Sequence, residues 1–392
     1  MSLSTLTGHI FALFLKAYIE SSSFQQSILA AELASAQGNT AVNMSHIGKI
    51  AANPEQSKNL ETATARVLGY DLDFVNLRKE VYEGESRIPV MSFGTPLEDA
   101  QRRDMTVNAL FYNVHSQQIE DWTQSGLDDM REGLVRTPME PETTFTDDPL
   151  RILRCVRFAS RFHYTIHKDI RACLCGVAHG DEAPDSAARK ALELRDALQR
   201  KVSRERFGIE IDKMLTGNDP LYALRLLSEL HLYRIVFSPP PPFSDKMLLS
   251  DDGVTPGAPA SFPGEASALA SGAFLDELLS GNSGAFADAI KRLPSDWLAA
   301  LREPSAKARL RLVWFAVALM PLRNLYVNIR KGKVEFQAAQ ATIAVGLKVC
   351  FESHIILHSL ALKIPKSRLA TCLTQQSFCP ARIFRVLRQL IL

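Results

Sequence analysis

The feature that most restricts the fold of this chain is a change in the hydrophobic period near residue 98. Between Ser45 and Leu77 apolar and polar residues alternate and Thr and Val are frequent, which is typical of half-buried strands. From about Glu98 to Phe237 the apolar residues recur at helical spacing. The sequence therefore predicts an α+β fold, in which a region with a small sheet is followed by mainly helical regions.

The chain has 392 residues, enough for more than one core. After Phe237 the composition changes, with seven prolines in a stretch of 35 residues that has little to bury. We predict a sheet-containing domain at 1–113, a helical region at 114–237, a linker or disordered loop at 238–272 and a helical tail region at 273–392. Within that tail, 349–392 is atypical.

Composition excludes several classes of protein. The net charge of +2 does not by itself indicate nucleic-acid binding. Six scattered cysteines favour reduced thiols and an intracellular protein. The apolar N-terminal segment is too short to span a membrane and has no features of a targeting sequence. We therefore predict no membrane association and identify no targeting segment.

An Asp-x-Asp pair in "GYDLDFVNLR" is the first candidate site. On a strand, Asp71 and Asp73 would point to the same face, and paired carboxylates are typical Mg²⁺ ligands. From the residues alone, the pair is either a metal site or two aspartates that do not bind a metal together.

A second candidate is "RRDMTVNALFYN", 102–113. Asp104 and Asn108 are four residues apart and would share a helix face, with Arg103 just before them. The structural alternative is that Asp104 is a helix N-cap and Arg103 a surface residue.

A third candidate is "DDPLRILRCVRFASRF", 147–162. A helical wheel places an apolar half opposite a face formed by Arg151, Arg154, Arg157 and Arg161. Guanidinium groups match phosphates and base edges, but a solvated positive face is an equally good interpretation.

Asp148 and Arg151, three residues apart, suggest base recognition. A carboxylate accepts from the exocyclic amine of cytosine or adenine, and an arginine donates to the adjacent ring acceptors. An intrahelical ion pair is the commoner outcome of this spacing. Glu205 and Glu210 could orient the arginines or be surface carboxylates, and Asp121 and Gly126 mark a turn that enters a short helix.

Taken in order, these segments resemble the class II tRNA nucleotidyltransferases, the CCA-adding enzymes of the poly(A) polymerase head-domain family, and most closely the fungal members. "RRDMTVNALFYN" resembles the RRDxxxNA motif and "DDPLRILRCVRFASRF" the EDxxR motif, with Asp147 in place of Glu. "DWTQSGLDDMREGLVRTP" and "SRERFGIE" are similar to two further motifs of the family.

The resemblance implies addition of C and A to the 3′ end of tRNA from CTP and ATP, with two Mg²⁺ ions. Domain 1–113 would be a truncated nucleotidyltransferase head with a mixed sheet, followed by a helical neck, body and tail that hold tRNA. The loop 79–98 would help the change from C to A addition. The residues that the resemblance assigns to nucleotide binding are Arg103, Asp104 and Asn108 for ribose and triphosphate, Asp148 and Arg151 as the base-reading template, and Arg154 and Arg157 beside it.

The sequence also departs from the family. Asp73 matches the third metal carboxylate, and Asp71 lies outside the invariant part of that pattern. The GGxVRD turn and the DxD strand of the family are not found in the sequence, which begins with a segment like the helix that follows that strand. Because one carboxylate cannot hold two Mg²⁺ ions, we expect a poor or inactive polymerase.

Two other functions are compatible with these patterns. One is a catalytically inactive nucleotide- or RNA-binding paralogue, and the other is a helical scaffold whose arginines are all on the surface. No protein partner is predicted. Fungal relatives serve cytoplasm, nucleus and mitochondrion, and the resemblance implies one or more of these compartments.

Overall fold

The computed structural model forms two compact units, 1–127 and 128–392. The structure describes 7–38, 41–50, 62–81, 90–178, 183–239, 247–249, 262–281, 284–293, 301, 303, 307–323, 325–328 and 335–348.

The first unit combines short helices with antiparallel strands. Its three-stranded sheet has the order β1-β2-β3, and two hairpins, β4-β5 and β6-β7, follow. The elements are α1 (Gly8–Glu20), α2 (Ser22–Gln25), α3 (Ile28–Ala36), β1 (Gly48–Ile50), β2 (Thr62–Val67), β3 (Tyr70–Phe74), β4 (Arg78–Val81), β5 (Val90–Phe93), α4 (Pro96–Gln101), a 3-10 turn (Thr106–Asn108), β6 (Phe111–Asn113), β7 (Gln118–Glu120) and α5 (Gly126–Glu132), which continues into the second unit.

The core of the first unit lies on one face of the sheet. Strand β2 alternates as predicted, with Ala63, Ala65 and Val67 buried. Helix α1 packs against β2 and β3 and buries Ala12 completely. A side chain on Gly8 would overlap the backbone of Phe74, so a residue without Cβ lets the start of α1 approach the sheet.

The second unit is mainly helical. Its elements are β8 (Leu134–Val135), α6 (Pro141–Asp147), α7 (Leu150–Phe162), β9 (Thr165–Ile166), α8 (Lys168–Cys175), α9 (Pro184–Lys201), α10 (Arg204–Leu215), α11 (Pro220–Glu229), α12 (Tyr233–Phe237), β10 (Met247–Leu249), α13 (Ala266–Ser280), α14 (Ala287–Lys291), α15 (Lys307–Ala318), a 3-10 turn (Met320–Leu322), β11 (Leu325–Asn328), β12 (Glu335–Gln337), α16 (Ala338–Ala341) and a π-helical turn (Thr342–Leu347).

Helix α7 is central to this unit and packs against α10 and α11. Its apolar half is buried as the helical wheel predicts, with Ile152, Val156 and Ala159 fully inaccessible. The helix ends at His163, which adopts a left-handed conformation with φ of 56°. The prediction of an amphipathic helix at 147–162 is correct in substance, although α6 extends to Asp147 and α7 begins at Leu150.

Parts of the predicted linker, 238–272, are ordered elements. Strand β10 pairs with β11, and α13 already begins at Ala266, so these two stretches are not linker. The expectation fails there because the apolar residues of both stretches pair with or pack against residues distant in sequence. Residues 240–246 and 250–261 of the predicted linker lie outside the described residues, as does the atypical tail 349–392.

The region 273–348 is helical as expected but also contains strands. Strands β11 and β12 of this region form a small antiparallel sheet with β10, which precedes the region in sequence. Its inner strand, β11, follows the helical part of the region. In the described residues, no helix is long and apolar enough to cross a membrane.

Candidate nucleotide-binding site

The two side chains of the Asp-x-Asp pair lie on the same face of β3, as the alternation predicts. Asp71 and Asp73 are exposed on the face of β3 opposite the core, where they stand across from Arg66 and Thr64. Asp71 and Arg66 form a loose, exposed ion pair at 3.9 Å. The part of the chain that the structure describes holds no group of three His, Cys, Asp or Glu residues that could bind a metal ion.

The RRD segment, 102–113, does not form a single helix. Helix α4 ends at Gln101, Asp104 lies in a bend and Asn108 ends a 3-10 turn. The expected common helix face is therefore wrong, because α4 ends before the segment. The two side chains still meet, since the Asn108 amide donates to the Asp104 carboxylate at 3.2 Å.

Arg103 is fixed by three kinds of contact. Its Nε and Nη2 donate to Oδ2 of Asp99 at 3.1 and 2.8 Å, and its Nη1 donates to the carbonyl of Asn108 at 2.9 Å. The guanidinium also lies 4.8 Å from the centre of the Phe111 ring. These contacts bring Arg103, Asp104 and Asn108 into one constellation, with Arg103 about one-third exposed.

Asp99 was not among the predicted site residues. It is 1% exposed and also accepts hydrogen bonds from Arg102. Burial by itself would raise the pKa of Asp99, but the hydrogen bonds from Arg102 and Arg103 lower it below its ordinary value. The sequence signal that could have found it is its position four residues before Arg103 in a helix with a Thr95–Glu98 capping box.

The Asp121–Gly126 turn supports the same segment. Asp121 accepts hydrogen bonds from the backbone of Thr123 at 3.1 Å and of Leu127 at 3.1 Å, so its carboxylate stabilises the entry to α5. The predicted turn is therefore present, and its role is structural.

Replacing Gly126 with alanine is expected to destabilise the protein by about 1–3 kcal/mol, the usual cost of overpacking. The added Cβ would lie 2.7 Å from the carbonyl oxygen of Thr106 and 2.9 Å from Leu110, and backbone cannot move aside cheaply. Thermal unfolding measures the effect, with Ser125→Ala as the neighbouring control. A melting temperature equal to that of the control would contradict the close approach.

In the second unit, Asp148 lies between α6 and α7. One carboxylate oxygen accepts from the backbone N–H of Leu150 at 3.2 Å, and the other accepts from Nη2 of Arg206 at 3.3 Å. Arg206 is on α10, so a contact between distant residues holds the carboxylate. Each oxygen keeps a lone pair that can accept from a base amine.

Arg151 is almost fully buried, at 6% exposure. Its guanidinium donates to the carbonyl of Thr144 at 3.3 Å. It therefore lies against α6, and the surface interpretation of this arginine is wrong because its side chain is buried at the α6–α7 junction.

Arg157 is also buried, at 8% exposure, and forms a close ion pair with Glu210 at 2.6 Å. Glu210 is 4% exposed, so it is not a surface carboxylate but the buried counter-charge of this arginine. Glu205, on the same helix, is exposed and pairs with Lys348 at 3.0 Å. Glu210 therefore contacts an arginine of α7, and Glu205 is a surface carboxylate.

Arg154 and Arg161 complete the arginine face. The guanidinium of Arg154 lies 5.7 Å from the ring centre of Phe158, and that of Arg161 lies 5.4 Å from Phe162. Arg154 is half-buried and Arg161 is exposed. The face thus runs from buried arginines to an exposed one, in contrast to a uniformly solvated surface.

Chemically, the described residues form two constellations of donors and acceptors, one in each unit. The first has an oriented arginine beside an amide and a carboxylate. The second has a carboxylate acceptor next to buried arginines. Phosphates and base edges are the groups that such donors and acceptors match.

Two protein-family models match parts of this sequence. Residues 23–136 match the poly(A) polymerase head domain. Residues 187–248 match a second model, described as the probable RNA and SrmB-binding site of polymerase A.

About half of the chain is similar in sequence to fungal CCA tRNA nucleotidyltransferases. The mitochondrial CCA tRNA nucleotidyltransferase of Saccharomyces cerevisiae is 48% identical over 192 residues, which are 49% of this chain and 32% of that protein. A tRNA nucleotidyltransferase of Schizosaccharomyces pombe is 44% identical over 191 residues, 49% of this chain and 35% of that protein. The chain spans about a third of the length of these relatives.

A solved structure described as a tRNA-processing enzyme with CTP has a TM-score of 0.51 and 17% identity, covering 92% of this chain and 76% of that chain. At this identity the likeness concerns the fold. The resemblance predicted from the motifs is confirmed, as is the α+β class with its nucleotidyltransferase-type head.

Proposed function

We propose that this protein adds C and A nucleotides to the 3′ end of tRNA without a nucleic-acid template, using CTP and ATP. The observation that carries the proposal is the burial of Arg151 and Arg157 on α7, the helix that begins two residues after Asp148. Buried arginines held by a protein carbonyl and by a carboxylate form a rigid recognition surface, which a solvated positive face does not. The names of the fungal relatives point to the same reaction.

Base choice would depend on Asp148 and Arg151. Cytosine and adenine both present an exocyclic amine next to a ring acceptor, which an Asp–Arg pair matches. Uracil and guanine present a carbonyl oxygen at the position of that amine, which would face the carboxylate. The contact from Arg206 at 3.3 Å supports the proposal because it holds one oxygen of Asp148 in a defined direction.

The triphosphate and ribose would be held by Arg103, Asp104 and Asn108. In the proposed reaction the terminal 3′-hydroxyl of the tRNA forms a bond to the α-phosphorus of the nucleotide. The bond from that phosphorus to the bridging oxygen breaks, pyrophosphate leaves with the electron pair, and the hydroxyl proton passes to solvent. The guanidinium of Arg103 would offset negative charge on the phosphates.

Mg²⁺ is the cofactor implied by the family. Among the described residues, Asp73 is one exposed carboxylate without a cluster of further ligands around it. A hard dication needs several anionic oxygens, so these residues alone do not fit a two-ion site. Asp73 as a catalytic metal ligand remains a prediction.

The proposed partner is tRNA, bound mainly by the helical second unit. Residues 187–248, which match the RNA-binding model, include the basic residues at the end of α9. Binding through phosphates and RNA shape predicts weaker binding at higher salt. The domain limits of 1–113, 114–237, 238–272 and 273–392, and an intracellular location, stay predictions.

A second candidate function is nucleotide or RNA binding without catalysis. The observation that favours it is the ion pair of Asp71 with Arg66. With Asp71 in this pair, Asp73 is one described carboxylate on this face that is left to bind a metal. In this case the arginine helix would still bind nucleotides, but no transfer would follow.

The test is incorporation of labelled CTP and ATP into tRNA that lacks the terminal CCA, with UTP, GTP and intact tRNA as controls. Mg²⁺-dependent addition of C followed by A supports the proposal and contradicts the expectation of a poor polymerase. Binding of CTP and tRNA without incorporation supports the second candidate. If the protein binds neither CTP nor tRNA, both functions are wrong.

A further inference from the structure

One buried carboxylate, Asp99, lies between the β4–β5 hairpin and Arg103. Its Oδ1 accepts from the backbone N–H of Arg78 at 3.1 Å and from Nε of Arg102 at 2.9 Å. Its Oδ2 accepts from Nε and Nη2 of Arg103 at 3.1 and 2.8 Å. Oδ1 therefore contacts the hairpin side of the network, and Oδ2 contacts the predicted nucleotide-binding arginine.

Arg102 extends the hairpin side of this network. Its Nε also lies 3.2 Å from the carbonyl of Arg78, and its Nη1 donates to Glu80 at 3.1 Å. The side chain of Glu80 is 7% exposed, so this ion pair is shielded from solvent. The position of strand β4 thus determines where Arg102 and Oδ1 of Asp99 lie.

Arg103 has donors left for a ligand. The contacts to Asp99 and to the Asn108 carbonyl use three of the five guanidinium N–H groups within the described part of the chain. The remaining two are on the terminal nitrogens, at the edge that can bind a phosphate. A shift of Asp99 would rotate this edge, because both Nε and Nη2 are tied to the same oxygen.

We propose that Asp99 is a positioning residue that couples the β4–β5 hairpin to Arg103, so that a displacement of β4 changes the affinity for the nucleotide triphosphate. This rests on the proposed function in one respect, the assignment of Arg103 to the phosphates. Asp99 acts through Arg103 and does not itself touch the nucleotide.

The coupling is testable without any substrate, through the rate at which phenylglyoxal modifies Arg103, mapped by mass spectrometry on the full chain. Asp99→Asn is expected to raise this rate about tenfold, since loss of a charged hydrogen-bond partner worth about 1.4 kcal/mol frees the guanidinium. Arg102→Lys should raise it about threefold, because the described hydrogen bonds from the Arg102 guanidinium to Oδ1 of Asp99 help to hold the carboxylate that binds Arg103. Asp288→Asn, an exposed aspartate on α14, is the matched control and should leave the rate unchanged.

The double variant distinguishes coupling from two separate effects. If Asp99 and Arg102 act as one unit, the double variant labels no faster than Asp99→Asn alone. Additive effects, or an unchanged rate in Arg102→Lys, would overturn the proposal. If Asp99→Asn does not fold, the Arg102→Lys result decides alone.

Calorimetric titration with CTP tests the functional consequence. The dissociation constant is expected to rise about tenfold in Asp99→Asn and about threefold in Arg102→Lys, and to stay unchanged in the control. If the unmodified protein binds no CTP, the proposed function fails while the labelling rates still decide the coupling. Normal CTP binding in both variants with faster labelling would overturn the link from Arg103 to the nucleotide.

Discussion

Replacing Glu210 with glutamine is expected to lower the melting temperature by about 6 to 12 °C. The change leaves the buried Arg157 guanidinium without its counter-charge, since the two side chains are only 6% and 9% exposed. Removing one partner of a buried ion pair costs about 3 kcal/mol or more. For a unit of this size each kcal/mol corresponds to about 2 to 4 °C.

Glu205→Gln is the matched control, because it changes the same residue type on the same helix. Glu205 pairs with Lys348 at 3.0 Å, but the two side chains are 69% and 50% exposed, and such surface pairs contribute about 1 kcal/mol at most. Equal melting temperatures for the two variants would show that the Arg157–Glu210 pair does not stabilise α7. Replacing both Arg157 and Glu210 with methionine should recover most of the loss, because no unpaired charge remains.

Replacing Asp148 with alanine is expected to reduce the preference for CTP and ATP over UTP and GTP by about 5- to 150-fold. The estimate follows from a discrimination of about 1 to 3 kcal/mol for a good bidentate contact to a base edge. The alanine cannot accept from the base amine, whereas Arg151 keeps its contact to the Thr144 carbonyl. The measurement is the set of dissociation constants for the four nucleotides, which does not require turnover.

Binding of tRNA serves as the internal control for Asp148→Ala and should change less than twofold, and Asp288→Ala controls for loss of a surface carboxylate. Asp148→Asn keeps an acceptor for the Leu150 N–H, so it separates loss of base contact from loss of the helix start. Unchanged nucleotide preference in both Asp148 variants would remove the template assignment.

The amphipathic helix with arginines at 151, 154, 157 and 161 could be predicted from the sequence, because helical periodicity is a local property. The alternation of β2 was predictable for the same reason. The proximity of Asp104 and Asn108 was also correct, but the expected helix face was not, because α4 ends at Gln101 and a 3-10 turn follows.

Contacts between residues far apart in the chain could not be predicted in this way. Spacing did not reveal which of Glu205 and Glu210 would be buried, since both are on α10 and only Glu210 meets Arg157. Asp99 could not be predicted from the sequence because acidic residues in a first helical turn are common. Its contacts depend on β4 and Arg102, which come together only in the fold.

The sequence by itself determined the secondary structure of the candidate site, the residue types that could bind a nucleotide, and the resemblance to a family, because these depend on local order along the chain. The tertiary structure alone decided which arginines are buried and which carboxylate holds each of them. Burial sets the energetic weight of a charge, and burial depends on the elements that pack around it. For this reason the pairs of Arg157 with Glu210 and of Arg103 with Asp99 became evident only in the fold.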